Sequence, residues 1–116
     1  MAKKEPTAID HVGVTVSDLT KSRAFYAKAL APLGLEDSNG SFGPFALMEG
    51  KKATAMHLAF RTSERANVDA FHKAALKAGA KDNGGPGVRK EYAPNYYAAF
   101  VIDPDGNNVE AVCYAE

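Results

Sequence analysis

The sequence predicts an α+β domain made of two copies of one strand–helix–strands unit, the first copy shortened. Three observations carry this. A 22-residue stretch recurs 46 residues further on without a gap. Each copy alternates apolar with small or polar residues at period two and then changes to helical spacing. Turn signals follow each helix. The 116 residues make one domain, 1–116, long enough to bury roughly two-thirds of the surface of the unfolded chain.

IDHVGVTVSDLTKSRAFYAKAL, from Ile9, lies over AMHLAFRTSERANVDAFHKAAL, from Ala55. His11 falls on His57, Ser17 on Ser63, Phe25 on Phe71 and Leu30 on Leu76. Val12, Val14 and Val16 alternate with His11, Gly13 and Thr15, as Met56, Leu58 and Phe60 alternate with His57, Ala59 and Arg61. Both stretches read as strands. Ser17-Asp18 and Thr62-Ser63-Glu64 then offer N-cap side chains. Ser22, Phe25, Tyr26, Ala29 and Leu30 mark one helix, and Val68, Phe71, Ala75 and Leu76 the other. Pro32 and Gly34 end the first; Gly79 ends the second.

Strands are expected near Leu33–Asp37 and Phe42–Glu49 after the first helix. After the second they are expected near Lys81–Asp82, Tyr96–Ile102 and Asn108–Tyr114, with NGGPGVRKEYAPN as a Gly/Pro-rich loop. The modules run over 7–54 and 55–116, behind a tail at 1–6. A unit that cannot cover its own sheet pairs with its copy, helices on one face and a cavity on the other.

Fourteen basic residues balance fourteen acidic ones, and this zero net charge argues against a nucleic-acid or membrane-surface partner. MAKKEPTAID has no apolar run after its lysines, so no signal peptide is expected. No stretch approaches the ~20 apolar residues of a membrane span. Cys113, the single cysteine, cannot pair internally and fits a reducing compartment. A cytoplasmic protein is the expectation, with Cys113 a buried thiol.

DPDGNNVEAV, residues 103–112, places a tight turn before an apolar strand that nonetheless carries Glu110. A carboxylate there faces water, pairs with Arg23 or Arg61, or meets a cation, because burial without a partner is costly. His11 and His57 lie on the strand faces opposite the large apolar side chains. Gly13, Ala55 and Ala59 leave room beside them. Related by an approximate two-fold axis, the two imidazoles can converge with Glu110 on a divalent first-row ion, Fe, Mn, Ni, Co or Zn. His72 reads as a helix-surface residue. Arg89 and Tyr92, in the Gly/Pro loop, either rim the cavity and orient an anionic or aromatic substrate or sit on an exposed loop.

At these residues the chain resembles the vicinal oxygen chelate superfamily, the glyoxalase/bleomycin-resistance/extradiol-dioxygenase group, in its small bacterial members. IDHVGVTVSDLTKSRAFY, MHLAF and YAAFVIDPDGNNVEAV carry the likeness. It implies two βαβββ-type modules with curved sheets around a central cavity, and His11, His57 and Glu110 at the family's ligand positions. It also implies a Lewis-acid metal acting on vicinal oxygens, as in isomerases and lyases, ring-cleaving dioxygenases and thiol transferases; Glu110 is then the candidate catalytic residue. The alternative within the family is a metal-free small-molecule (drug) binding protein. Glyoxalase I takes a fourth ligand from the last strand of its first module. Here Ala46 stands near that position and Glu49 is out of register. Tyr92, Tyr96 and Tyr97 are either candidate acid/base groups by type or ordinary packing and loop aromatics. A homodimer is expected, in which some relatives draw one site's ligands from both chains.

Overall fold

The computed structural model of the chain describes residues 11–50 and 56–115. The tail at 1–6, the module boundary and Ala55 lie outside that range. In chain order the elements are β1 (Val12–Val16), α1 (Leu19–Ala29), a 3₁₀ turn (Ala31–Leu33), β2 (Ser41–Phe42), β3 (Phe45–Glu49), β4 (His57–Arg61), α2 (Arg65–Lys77), β5 (Lys81–Val88), β6 (Tyr97–Ile102) and β7 (Asn108–Cys113). They form two sheets, ordered β1-β3-β2 and β4-β7-β6-β5. In each, the strand entering the helix pairs in parallel with the last strand of its module, and the other pairings are antiparallel. Among the described residues the same unit is built twice, the first short by one strand.

The strand expected over Leu33–Asp37 is the one that is missing. Pro32, which lacks an N–H and fixes φ, sits in the 3₁₀ turn, and Gly34 closes it at φ 82°. Asp37 is committed to a turn: its carboxylate accepts from Gly40 N at 2.8 Å and from Arg23 Nε at 3.0 Å. At β5 the correction runs the other way, because Asn83 to Val88 belong to a strand rather than a loop. Its register against β6 breaks at Gly84 and again before Gly87, and Pro86 is tolerated because β5 is an edge strand.

Asp18 caps α1 by accepting from Lys21 N at 3.0 Å. Glu49, at the end of β3, accepts from Leu19 N at 3.0 Å. Two of the helix's orphan donors are thus satisfied. No side chain caps α2, contrary to expectation. The Thr62 hydroxyl accepts from Asn67 Nδ2 instead, at 2.9 Å, so α2 depends on packing through Val68, Phe71 and Ala75, all fully buried. Leu76 falls off that stripe and is exposed, as is Val12 at the start of β1. No helix among the described residues is long and apolar enough to cross a membrane.

One core joins the modules. The Tyr26 ring meets Phe45 edge-on at 4.8 Å, and Phe45 meets Phe60 at 5.4 Å, so aromatic contact runs from α1 through β3 into β4. A polar clasp reinforces it. Gly106 takes the left-handed conformation (φ 88°) that the Asp103–Gly106 turn requires. Asp103, 5% exposed, accepts from Asp105 N, Asn107 N and Asn107 Nδ2, and from Tyr26 Oη of α1 at 2.5 Å. Burial, reinforced by Asp103, pushes the Tyr26 phenol far up, so it stays a donor. Asp105 accepts from Ser17 N and Oγ and from Ser22 Oγ. The turn of the final hairpin is therefore bolted to the helix of the other module.

Candidate functional site

Strand parity builds the site. Val109, Ala111 and Cys113 of β7 enter the core with Ala99 and Val101 of β6 and Leu58 and Phe60 of β4. The alternate residues, His57, Phe100 and Glu110, face away from the helices. In register Glu110 lies between Ala59 and Phe100, and the small Ala59 side chain leaves space beside it.

Glu110 is 1% exposed, yet both its oxygens are satisfied. His57 Nε2 lies 3.0 Å from Oε1, and Tyr96 Oη donates to Oε2. Neither arginine considered as its partner is engaged there. Arg23 pairs with Asp37, and Arg61 lies over the Tyr114 ring at 4.8 Å. Burial, then the carboxylate beside it, raises the Tyr96 phenol well above its ordinary value. It remains a donor across the neutral range.

His57, Tyr92, Tyr96, Phe100, Asn108 and Glu110 line a cavity of about 310 Å³. A second of about 300 Å³, lined by Asn83, Gly84 and Arg89, shares Tyr92, Phe100 and Asn108 with it. Arg89 donates through Nη1 to Gly87 O at 2.9 Å and through Nη2 to Gly85 O at 2.7 Å. Its guanidinium carbon sits 5.4 Å from the Phe100 ring centre, and the His57 ring stacks on Phe100 at 6.5 Å. Tyr92 is 64% exposed and meets Tyr96 edge-on at 5.1 Å. Tyr92 thus lines both cavities, and Arg89 the second.

Other candidates lie elsewhere. Tyr97 faces α2, where it donates to Asp69 at 2.5 Å. His72, expected on the helix surface, has a side chain only 12% exposed and bonds Asp82 of β5 at 3.0 Å. Glu49 caps α1, and Ala46 pairs with Gly13 of β1. Cys113 is fully buried. His11 is exposed and immediately precedes β1 of the other sheet. No three His, Cys, Asp or Glu side chains among the described residues are gathered closely enough to hold one ion. The structure therefore brings His57 and Glu110 together within one chain, without His11. Phe100 and Asn108 were not singled out from the sequence, although parity with Glu110 marks Phe100.

The His57–Glu110 pair fits a metal in one measurable respect. Donors about 2.1 Å from a common ion lie roughly 3.0 Å apart at a right angle and roughly 3.4 Å apart at a tetrahedral one. The observed N···O separation is 3.0 Å. Imidazole with carboxylate is also a donor set suited to first-row divalent ions.

Fold and site define a class: a duplicated β-α-β unit whose second sheet carries an imidazole–carboxylate pair in an aromatic-walled cavity. The chain belongs to the Glyoxalase/Bleomycin resistance protein/Dioxygenase superfamily, whose family model matches residues 8–111. It is similar to a glyoxalase/bleomycin resistance protein from Albidiferax ferrireducens, at 30% identity over 90% of this chain and 97% of that one, with TM-score 0.78. A glyoxalase/bleomycin resistance protein/dioxygenase family enzyme from Burkholderia phytofirmans shares the fold at 16% identity, covering 94% and 100%, TM-score 0.70. So does a glyoxylase/bleomycin resistance protein/dioxygenase domain from a Frankia species, at 20% identity, covering 94% and 98%, TM-score 0.69. No protein of curated function matches the chain. The superfamily includes enzymes.

Proposed function

We propose that the protein is a metal-dependent enzyme of this superfamily, acting on a small substrate with two neighbouring oxygens. His57 and Glu110 of one chain hold a single divalent ion, and His11 of a second copy completes the set. The ion, when bound, supplies a Lewis acid to the paired oxygens, the chemistry common to isomerase, lyase, ring-cleaving dioxygenase and thiol-transferase reactions. Glu110 holds one oxygen toward His57 while Tyr96 fixes the other. Phe100 and Tyr96 form the cavity wall, and Arg89 and Tyr92 receive substrate at the rim.

The His57–Glu110 contact carries this reading: a carboxylate 1% exposed beside a half-exposed imidazole, at a donor separation compatible with one shared ion. The dimer follows from incompleteness. β1 and β4 are both edge strands, His11 heads β1, and Val12, Met48 and Met56 leave apolar surface exposed around these edges. A two-fold partner that lays its β1 edge near β4 would cover that surface and deliver His11.

Untagged protein titrated with Co, Ni, Mn, Fe(II) and Zn tests the reading by uptake. One ion per chain is expected, with uptake lost in His57→Ala, Glu110→Ala and His11→Ala. A second reading draws on the same contact. His57 and Tyr96 already satisfy Glu110 without a cation, as a metal-free small-molecule binding pocket would require. Failure of all five ions to bind selects it.

A further inference from the structure

We infer that the lobe around Arg89 is a receptor for the carboxylate of a small organic acid. This deepens the proposed function by naming the charged end of its substrate. It rests on that reading only in taking the cavity as the place where substrate binds.

Arg89 is built into position. Backbone carbonyls of Gly85 and Gly87 each accept one of its five N–H donors, and the guanidinium lies over Phe100. The glycines make this possible. A Cβ at Gly87 would stand 3.1 Å from Arg89 Nη1, and one at Gly84 would stand 3.2 Å from Nη2 and 3.1 Å from the Phe100 ring. The bulged, side-chain-free strand thus lets the guanidinium lie against backbone, fixed before any ligand arrives. Among the described residues no carboxylate forms an ion pair with it. A guanidinium lining a cavity and held, among the described residues, by two neutral carbonyls and an aromatic ring is a cation awaiting an external oxyanion.

Charge and distance narrow the class. One arginine serves the lobe, and the Glu110 carboxylate stands in the adjoining cavity, so a monoanion is matched where a dianion is half-compensated. The Asn108 amide oxygen already accepts from Asn83 Nδ2 at 3.2 Å, which leaves its NH2 group as a donor for the same oxyanion. The His57 ring and the Arg89 guanidinium are 6.5 Å and 5.4 Å from one Phe100 ring centre. They are therefore no further apart than the sum of these, about 12 Å. A molecule with a carboxylate at one end and its reacting oxygens a few bonds away spans that gap.

The probe is sodium benzoate, with benzamide as its neutral isostere and inorganic phosphate as the competing oxyanion, each titrated into 15N-labelled protein. Benzoate should move the amides of Asn83, Gly84, Arg89, Tyr92 and Asn108 in a saturable way. Benzamide should bind at least tenfold more weakly, and phosphate no better than benzoate. Arg89→Gln should weaken benzoate at least tenfold. Gly87→Ala, which keeps the charge but displaces it, should weaken it by a smaller factor, so the inference stays testable if the first variant misfolds. If metal uptake fails while benzoate still binds, the metal reading falls and this one stands. Equal affinity for benzoate and benzamide overturns it, as does tighter phosphate binding, benzoate affinity within twofold of wild type in Arg89→Gln, or absence of saturable shifts in the lobe.

Discussion

Tyr96→Phe isolates the group that orients Glu110. The substitution removes one hydroxyl and leaves the ring contacts with Tyr92 and Tyr114 in place. Glu110 is 1% exposed, so Oε2 cannot fully recover its lost donor from water. Hydrogen bonds to charged groups contribute about 1.5–3 kcal/mol. Tyr96 is itself only half-buried, which favours the lower part of that range, about 1.5–2 kcal/mol. At 1.4 kcal/mol per decade this is roughly a 10- to 30-fold weaker ion, at the low end of what partners of metal-ligating groups contribute. Cobalt(II) affinity, measured by competition with a chromophoric chelator, reads it directly. Tyr96→Phe within twofold of wild type, alongside a Glu110→Gln variant that has lost the ion, would refute the orienting role.

Three further outcomes are expected. Tyr26→Phe removes the buried bond to Asp103 and should cost about 1.5–3 kcal/mol of stability, seen as a lower urea midpoint with an unchanged m-value. Mixing His11→Ala with His57→Ala chains should restore roughly one-quarter of the metal sites, because half the dimers are mixed and each regains one site of its two; no gain over either variant alone excludes shared ligands. The Asp37 carboxyl is held below its ordinary value by the Gly40 N–H and then by Arg23. The stability it adds is complete above its unfolded value of about 3.9 and is lost as pH falls through the lower folded one. Asp37→Asn should therefore narrow its deficit against wild type between pH 6 and pH 2.5 in urea melts.

The sequence was most readable where local pattern and tertiary pairing agree. Period two in Val12–Val16 and Met56–Phe60 marked β1 and β4, and the 46-residue repeat implied the duplicated sheets. Glu110 and His57 were legible because a charged or polar residue on the wrong face of an apolar strand needs a reason. The GGPG segment misled because glycine and proline disfavour strands in general, while pairing with β6 makes an edge strand of them here. Leu33–Asp37 misled in the opposite direction, since Asp37 found a better use in a turn. The donors on Glu110, and the reach of Asp105 to Ser17, span 14 to 88 positions of chain. No local periodicity encodes such distances.

That longest reach bears on how the chain is made. Ser17 and Ser22 lie at the start of α1, while their acceptor arrives 88 and 83 residues later. At a synthesis rate of about 5–20 residues per second, Ser17 waits roughly 4–18 s for Asp105 to be added. The front half of the nascent polypeptide thus stays unfinished until its rear end is translated, and a fragment severed between the repeats should not survive as a miniature of the whole. Duplication here has left two repeats tied to each other through the Asp103–Gly106 turn.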